Sequence, residues 1–202
     1  MFDFSDKTLI TEDDIRTVPA GTTVRINQKA LITPLAADLA QERHIQFERT
    51  APPEKRNVRM VAIGADHGGF EMKESLKNVL LELGCQCKDF GTNSTEPVDY
   101  PDIAHAVALA VAEKKCDLGI MIDGAGIGSC MVANKVHGVR AAMCYDEASA
   151  RNSREHNGAN VLTLGAKLIS DKEMRDIVKV WLSSELTEDR HRRRVAKIDA
   201  IL

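Results

Sequence analysis

The sequence is poor in aromatic residues, has no long apolar run and carries almost no excess charge. Aromatic residues make up 4% of the 202 positions, which leaves few rings on which the bases of a single strand could stack. The formal net charge is −3, from 27 basic and 30 acidic residues, and this balance argues against a nucleic-acid partner. No apolar run approaches the ~18 residues of a membrane span. The acidic first residues also lack the basic start of a secretory signal, so we predict a cytoplasmic protein with no membrane partner.

The cysteines do not form a recognisable pattern. There are five of them, an odd number, and no C-x-x-C pair occurs. Both facts argue against a zinc site and against a disulfide framework. We therefore predict reduced, mostly buried thiols.

From about residue 58 onwards, short apolar runs alternate with stretches of helical periodicity. This alternation predicts an α/β domain over 58–202, with a five-stranded parallel sheet and helices on both of its faces. Ligands of such sheets bind beyond the carboxyl ends of the strands, which here are 65–69, 90–100, 123–128 and 145–146. The predicted strands are 59–65, 85–90, 117–122, 139–145 and 160–164.

The first fifty residues form a separate, less regular extension. The segment 51–57, APPEKRN, combines two prolines with three charges and is predicted to be a linker. Within 1–50 we expect strands at 22–26 and 45–47, and a helix that begins at Pro34. So short a stretch is expected to lack a large core of its own and to pack on the main domain or on a partner.

Two of the stretches at strand ends contain residues suited to chemistry. In GADHGG, 64–69, His67 can transfer protons at neutral pH. The alternative interpretation of this segment is a turn whose polar residues cap the next helix. In DGAGIGSC, 123–130, alternate glycines allow backbone amides to approach an oxyanion. Tight packing between strand and helix explains that pattern equally well, and the spacing differs from the dinucleotide motif G-x-G-x-x-G.

Two further polar stretches lie nearer the end of the chain. SREHN, 153–157, places Arg154, His156 and Asn157 at the end of a polar helix, where a solvated helix end is the simpler explanation. RHRRR, 190–194, places Arg190 and Arg194 one helical turn apart, so that both can contact one oxyanion. A solvated basic face is the alternative for that run.

Together these stretches resemble the ribose-5-phosphate isomerase B family, which includes both subunits of galactose-6-phosphate isomerase. The matching segments occur in the family's order: GADHGG, DFGTNSTEPVDYPDIA, GAGIGSCMVANKVHGVRAA, REHNGANVLTLGAKLI and RHRRRVAKI. The resemblance implies a Rossmann-like three-layer fold. It also implies a homodimer or tetramer with sites shared between subunits, and an aldose–ketose isomerisation through an enediol that needs neither metal nor cofactor. The substrate would be a phosphorylated sugar, and ribose 5-phosphate is the one we expect.

The resemblance assigns roles to residues at the predicted strand ends. Asp66 and His67 match a pair in which the histidine helps to hold phosphate, and Tyr100 matches a tyrosine of the site. The loop whose amides hold the enediolate corresponds to Gly124, Gly126 and Gly128.

A second set of roles falls on the later segments. His156 matches the histidine that assists ring opening, and Asn157 matches its sugar-binding neighbour. Arg190 and Arg194 match two phosphate-binding arginines. Lys167 stands where many members have another arginine, so the charge is kept but the planar fork is lost.

The chain departs from the family at the catalytic base. Asp123 replaces the usual cysteine, Ala125 replaces a threonine, and Ile127 stands where other members have a glutamate. We predict that Asp123 is the base. One galactose-6-phosphate isomerase subunit also begins this loop with aspartate and works beside a cysteine-bearing partner. A non-catalytic or partner-dependent subunit is therefore the alternative.

The extension carries a resemblance of its own. The segment ALITPLAADLAQERHI is similar to short ITPxA-containing segments on enzymes of bacterial microcompartments. It predicts a role in assembly or targeting, with a paralogous subunit or a microcompartment shell as the partner. A flap that covers part of the main domain is the alternative.

Overall fold

The computed structural model describes residues 2–4, 7, 9–50 and 59–201. The chain divides into two compact units, residues 1–57 and 58–202. The predicted linker, 51–57, lies outside the described residues. None of the helices in the described ranges is long and apolar enough to cross a membrane.

The larger unit is built on one five-stranded sheet, and all of its neighbouring strands are parallel. The strand order is β7-β6-β8-β10-β9. The predicted α/β fold with a parallel sheet is confirmed. Strands β6 and β8 are buried along nearly their whole length, which explains why runs of apolar residues predicted them. The strands are β6 (Met60–Ala65), β7 (Gln86–Asp89), β8 (Leu118–Asp123), β9 (Ala141–Met143) and β10 (Val161–Gly165).

Six helices of the larger unit accompany this sheet in the described residues. Two separate core clusters cover its two faces, one with side chains of α3, α6 and α7 and the other with side chains of α4 and α5. The helices are α3 (Phe70–Glu82), α4 (Tyr100–Ala112), α5 (Ile127–Ala133), α6 (Glu147–Glu155), α7 (Asp171–Ser183) and α8 (Asp189–Asp199).

The bounds of two elements differ from the prediction. The fourth strand is predicted at 139–145 but covers only Ala141–Met143, because the Val139 N–H donates to the Val136 carbonyl and extends the turn after α5. The helix marked by apolar residues from 103 begins earlier, at Tyr100. Pro101 suits a first helical turn, where its missing N–H costs no hydrogen bond.

All five cysteines are free thiols. Cys85, Cys116 and Cys144 are buried, and burial raises the pKa of each. Cys130 is half-buried, and Cys87 is exposed. The prediction that most of the thiols are buried is confirmed for three of the five, and their reduced state stays a prediction.

In its described residues, the smaller unit contains two short parallel sheets and two helices. Its three-stranded sheet has the order β1-β3-β5, and β2 pairs with β4. Helix α2 begins at Pro34 as predicted, and the Thr33 hydroxyl accepts the Ala36 N–H at 3.2 Å. The elements are β1 (Phe2–Phe4), β2 (Leu9–Ile10), α1 (Glu12–Arg16), β3 (Thr23–Asn27), β4 (Leu31–Ile32), α2 (Pro34–Glu42) and β5 (Gln46–Thr50).

The extension contains a small core of its own, which was not predicted from the sequence. Nine buried apolar residues, among them Ile10, Ile15, Val24 and Ile26, form one cluster within this unit. The prediction misses β1, β2 and β4 because strands of two or three residues are too short to show a period. Strand β2 contributes the buried Ile10 to the cluster, and Phe2, Phe4 and Ile32 of β1 and β4 pack against it half-buried.

Candidate active site

One group of predicted residues lies at the carboxyl edge of the sheet. The ends of β6, β8 and β10 are tied together there by backbone hydrogen bonds. The Asp66 N–H donates to the Ile122 carbonyl at 3.1 Å, and the Lys167 N–H donates to the Gly124 carbonyl at 3.1 Å. We call this the carboxyl-edge group; its members are Asp66, His67, Tyr100, Asp123, Gly124, Gly126, Gly128 and Lys167.

Asp66 and His67 have different environments. Asp66 is buried, and its Oδ1 accepts the Gly69 N–H at 2.9 Å, so part of its role is to close the turn before α3. His67 is exposed, and its Nδ1 accepts the Val98 N–H at 3.3 Å. Because an amide can only donate, the neutral imidazole carries its proton on Nε2. The exposed side chain of His67 therefore has an N–H donor at Nε2, which is compatible with the predicted binding of phosphate.

Asp123 ends β8 and is 5% exposed. Its Oδ1 accepts the N–H groups of Ala125, at 2.8 Å, and of Gly126. Its Oδ2 accepts the Ser129 N–H at 3.1 Å and also the Ser129 hydroxyl. Four donors occupy the roughly four lone-pair positions of a carboxylate. The side chain thus orders the loop, and it can take a proton only if one donor leaves.

The loop after Asp123 needs glycine at two positions. Gly126 has φ of +78°, a left-handed conformation that costs other residues energy. A Cβ at Gly128 would lie 2.5 Å from the Tyr100 hydroxyl oxygen, so the tyrosine ring packs directly against this backbone. These contacts place Tyr100 beside the loop, as the resemblance implies.

The remaining predicted residues lie on α6, just beyond it, and on α8. His156 caps the carboxyl end of α6 and is half-buried, and Asn157 follows it and is exposed. The Asn152 amide lies 2.9 Å from His156 Nδ1 and donates to it. That contact leaves Nε2 of His156 as the protonated nitrogen.

Helix α8 carries both predicted arginines on its exposed surface. The Arg190 Nε lies 2.5 Å from Glu188, and Arg194, one turn later, is also exposed. The helical spacing inferred from RHRRR is confirmed. We call Asn157, His156 and these two arginines the amino-edge group.

The two groups lie at opposite edges of the sheet. Helix α6 starts beyond the carboxyl end of β9 and runs back, so His156 lies near the amino end of β10. Helix α8 is fixed at that same edge, because Asp199 pairs at 2.7 Å with Arg140, just before β9. A five-residue strand spans about 17 Å, so the two groups of one chain do not meet.

Two residues in contact with the predicted ones, His191 and Ser129, were not predicted from the sequence. His191 is 5% exposed and stacks on His156, with ring centroids 4.3 Å apart. Burial is the main cause that lowers the pKa of His191, and His156 and Arg190 add to it. The signal available in the sequence was the spacing of His191 and Val195, one helical turn apart among charged residues, and both are buried in α8.

Arg154, singled out with His156, has a structural role. Its guanidinium donates to the carbonyls of Ser184, at 3.2 Å, and Ala159, at 2.6 Å. It also lies 5.1 Å from the Trp181 ring centroid. These contacts join α6 to the end of α7 and leave little of the side chain for a ligand.

Comparison with known proteins gives a consistent result. The family model described as "Ribose/Galactose Isomerase" matches residues 61–198. Ribose-5-phosphate isomerase B of Escherichia coli (strain K12) is 42% identical over 144 residues, which is 71% of this chain and 97% of that protein. A D-erythrulose-4-phosphate isomerase of Pectobacterium atrosepticum is 40% identical over 126 residues, which is 62% of this chain and 83% of that protein.

A solved structure extends the similarity to the fold. Ribose-5-phosphate isomerase B of Clostridium thermocellum superposes with a TM-score of 0.69 and 46% identity. The match covers 70% of this chain and 96% of that protein. The residues matched by the family model, 61–198, lie within the larger unit.

Proposed function

Because the chain belongs to the ribose/galactose isomerase family, we propose that it interconverts an aldose phosphate and a ketose phosphate through an enediol. Ribose 5-phosphate and ribulose 5-phosphate are the pair we assign. The observation that carries this proposal is the carboxyl-edge group, in which a histidine donor, a lysine and a glycine loop surround one strand end.

We propose further that two copies of the chain complete each site. The carboxyl-edge group lacks the arginines and His156, which lie at the far edge of the same sheet. Large apolar side chains are exposed near the carboxyl-edge group, which is typical of a surface that another protein covers. They are Ile127, Met131, Tyr145 and Leu168. A second copy whose amino-edge group reaches this surface would bring the two halves together, as a dimer or as part of a tetramer.

In such a site each group has a physical task. Arg190, Arg194 and His67 hold the phosphate with charged or polar donors, and Lys167 adds a positive charge. His156 offers its Nε2 proton to the ring oxygen as the ring opens, and Asn157 binds a sugar hydroxyl. Holding the sugar phosphate in one orientation lowers the barrier, because the entropy of alignment is lost on binding.

We propose Asp123 as the group that moves the proton between adjacent carbons. The Ser129 hydroxyl is the one donor on the carboxylate that can rotate away without moving the backbone. Its departure frees a lone pair on Oδ2. The carboxylate then takes the proton from one carbon and returns it to the next. The amides of Ala125 and Gly126 already donate to Asp123, so stabilisation of the resulting oxyanion is assigned to the amides of Ile127 and Gly128 in the first turn of α5.

A second candidate rests on the same carboxylate. All acceptor positions of Asp123 are filled in the described structure, and neither a cysteine nor the alternative glutamate is present. A chain with this loop could serve as a partner-dependent subunit that supplies the phosphate-binding half of a site. A cysteine-bearing paralogue would then supply the base.

Activity of the purified chain separates the two candidates. The chain alone should convert ribose 5-phosphate to its ketose, with allose 6-phosphate and galactose 6-phosphate tested beside it. Activity that arises only after a cysteine-bearing paralogue is added would favour the second candidate. No ketose from any aldose phosphate under either condition would refute the proposed function.

A mixing experiment tests whether sites are shared. Asp123→Asn and His156→Ala should each inactivate the chain. Co-expression should restore about a quarter of the normal rate, because half of the dimers are mixed and each mixed dimer has one intact site. A site built within one chain would give no recovery.

For the smaller unit we propose a role in assembly or targeting. Its own core supports a module that is separate from the chemistry of the larger unit. A microcompartment shell or a paralogous subunit is the proposed partner, and the cytoplasm is the proposed location. Fusion of residues 1–57 to a fluorescent protein should direct it to the shell in cells that produce one. Diffuse fluorescence would refute the targeting role.

A further inference from the structure

A fully buried lysine lies close to the carboxyl-edge group and has no part in the proposed chemistry. Lys73, in the first turns of α3, has a side chain that is 0% exposed. Its Nζ lies 2.5 Å from Asp89 Oδ2 and 5.6 Å from the Phe70 ring centroid. Lysine is almost never fully buried without a partner, because its charge loses hydration. Two carboxylates supply that partner: Asp89 is the nearer and less exposed, and the Oε1 of Glu74 lies 3.3 Å from Nζ.

Asp89 ends β7, and both of its oxygens are used. Oδ2 also lies 2.7 Å from the Lys77 Nζ, while Oδ1 accepts the Gly91 N–H at 2.9 Å. Burial alone would raise the pKa of Asp89, but the hydrogen bonds from Lys73, Lys77 and Gly91 outweigh it and lower that pKa. The carboxylate stays charged and holds the first residues of the segment that leads to α4.

That segment, 90–99, contacts the active-site turn at two points. At its start, the Ala65 N–H donates to the Gly91 carbonyl and the Thr92 N–H donates to the Ala65 carbonyl, both at 2.7 Å. Ala65 immediately precedes the turn with the predicted site histidine. Near the end of the segment, the Val98 N–H donates to His67 Nδ1.

From this chain of contacts we infer that Lys73 is a positioning residue for His67. Through Asp89 it fixes the segment 90–99, and that segment keeps the His67 imidazole in the Nε2–H tautomer, with its donor directed outward. Lys73 itself touches no substrate. The inference rests on the proposed function only in that His67 is taken to bind the phosphate.

Lys77 provides a matched control. It contacts the same oxygen of Asp89 from the next turn of the same helix, but its side chain is 32% exposed. Water can replace an exposed ammonium at little cost, whereas the dry position of Lys73 has no such substitute. Methionine at residue 73 keeps the approximate length of the side chain, and Lys77 still pairs with Asp89, so the carboxylate is not left without a cation.

The experiment compares Lys73→Met with Lys77→Met in the full chain. Long-range ¹H–¹⁵N NMR of the imidazole should show the Nε2–H tautomer of His67 in the unaltered chain and in Lys77→Met, and a mixture of tautomers in Lys73→Met. Calorimetry with inorganic phosphate should show affinity reduced about tenfold in Lys73→Met and less than about twofold in Lys77→Met. In the isomerase assay, KM should rise about tenfold with kcat within about threefold.

The inference would be overturned if Lys73→Met and Lys77→Met had the same His67 tautomer and the same phosphate affinity, whether both were unchanged or both were altered. If Lys73→Met does not fold, Asp89→Asn decides instead. That variant can keep the Gly91 hydrogen bond but loses the charge, and it should change the tautomer and the phosphate affinity in the same direction. The NMR and calorimetric measurements need no turnover. A chain that is inactive toward every sugar would therefore refute the proposed function and still leave the role of Lys73 decided.

Discussion

Replacing Asp123 with asparagine separates a structural role from a catalytic one. The amide oxygen can still accept the N–H groups of Ala125 and Gly126, but the Nδ2 group cannot accept the Ser129 N–H. One buried donor then loses its acceptor, which costs about 1–3 kcal/mol of the free energy of unfolding. If Asp123 is also the base, kcat falls by about 10²–10⁴-fold.

Ser129→Ala is the matched control for this substitution. It removes the hydroxyl from Oδ2 and leaves both the carboxylate and the backbone donors in place. Urea denaturation should show destabilisation by Asp123→Asn, and the ketose assay should show loss of activity in that variant, with activity retained in Ser129→Ala. Calorimetry should show phosphosugar binding nearly unchanged in both. If Asp123→Asn is less stable but keeps full activity, the carboxylate only orders the loop and our assignment of the base is wrong.

Three other predictions address phosphate binding, domain independence and pH. Arg194→Ala should weaken binding of a phosphosugar analogue by about ten- to a hundredfold, because it loses a charged hydrogen bond worth roughly 1.5–3 kcal/mol. Arg192→Ala serves as the control, and equal affinity of the two variants in calorimetry would exclude Arg194 from phosphate binding. A chain that starts near Asn57 should be folded and dimeric by circular dichroism and light scattering, because the larger unit has its own core. An unfolded product would show that residues 1–50 are part of that core. Burial lowers the pKa of His191 below its unfolded value of ~6.5, so the unfolded chain takes up the proton first and the free energy of unfolding should fall as pH drops through that range. His191→Phe should flatten this pH dependence in denaturation curves, and an unchanged pH dependence would show that His191 is not its source.

Much of the larger unit could be predicted from the sequence because its signals are local. A buried strand such as β8 is a short apolar run, and the helix that begins at Asp171 shows its buried face every three or four residues. Strand ends follow from strand positions, so the order of the residues is enough to place Asp66, His67 and Asp123 at one edge of the sheet. The short strands of the smaller unit could not be predicted in this way, because two or three residues are too few to show a periodic pattern.

The sequence by itself determined the family, the parallel sheet and the residue types of the carboxyl-edge and amino-edge groups, since each depends on order and spacing along the chain. Only the tertiary structure decided which residues meet. It placed His156 and the arginines at the opposite edge from Asp123, because α6 runs antiparallel to the strands. It also showed the His156–His191 stack, the four donors on Asp123 and the buried Lys73–Asp89 pair. Such contacts join residues that are distant in the sequence or aimed by side-chain rotamers, and neither property can be read from a local pattern of letters.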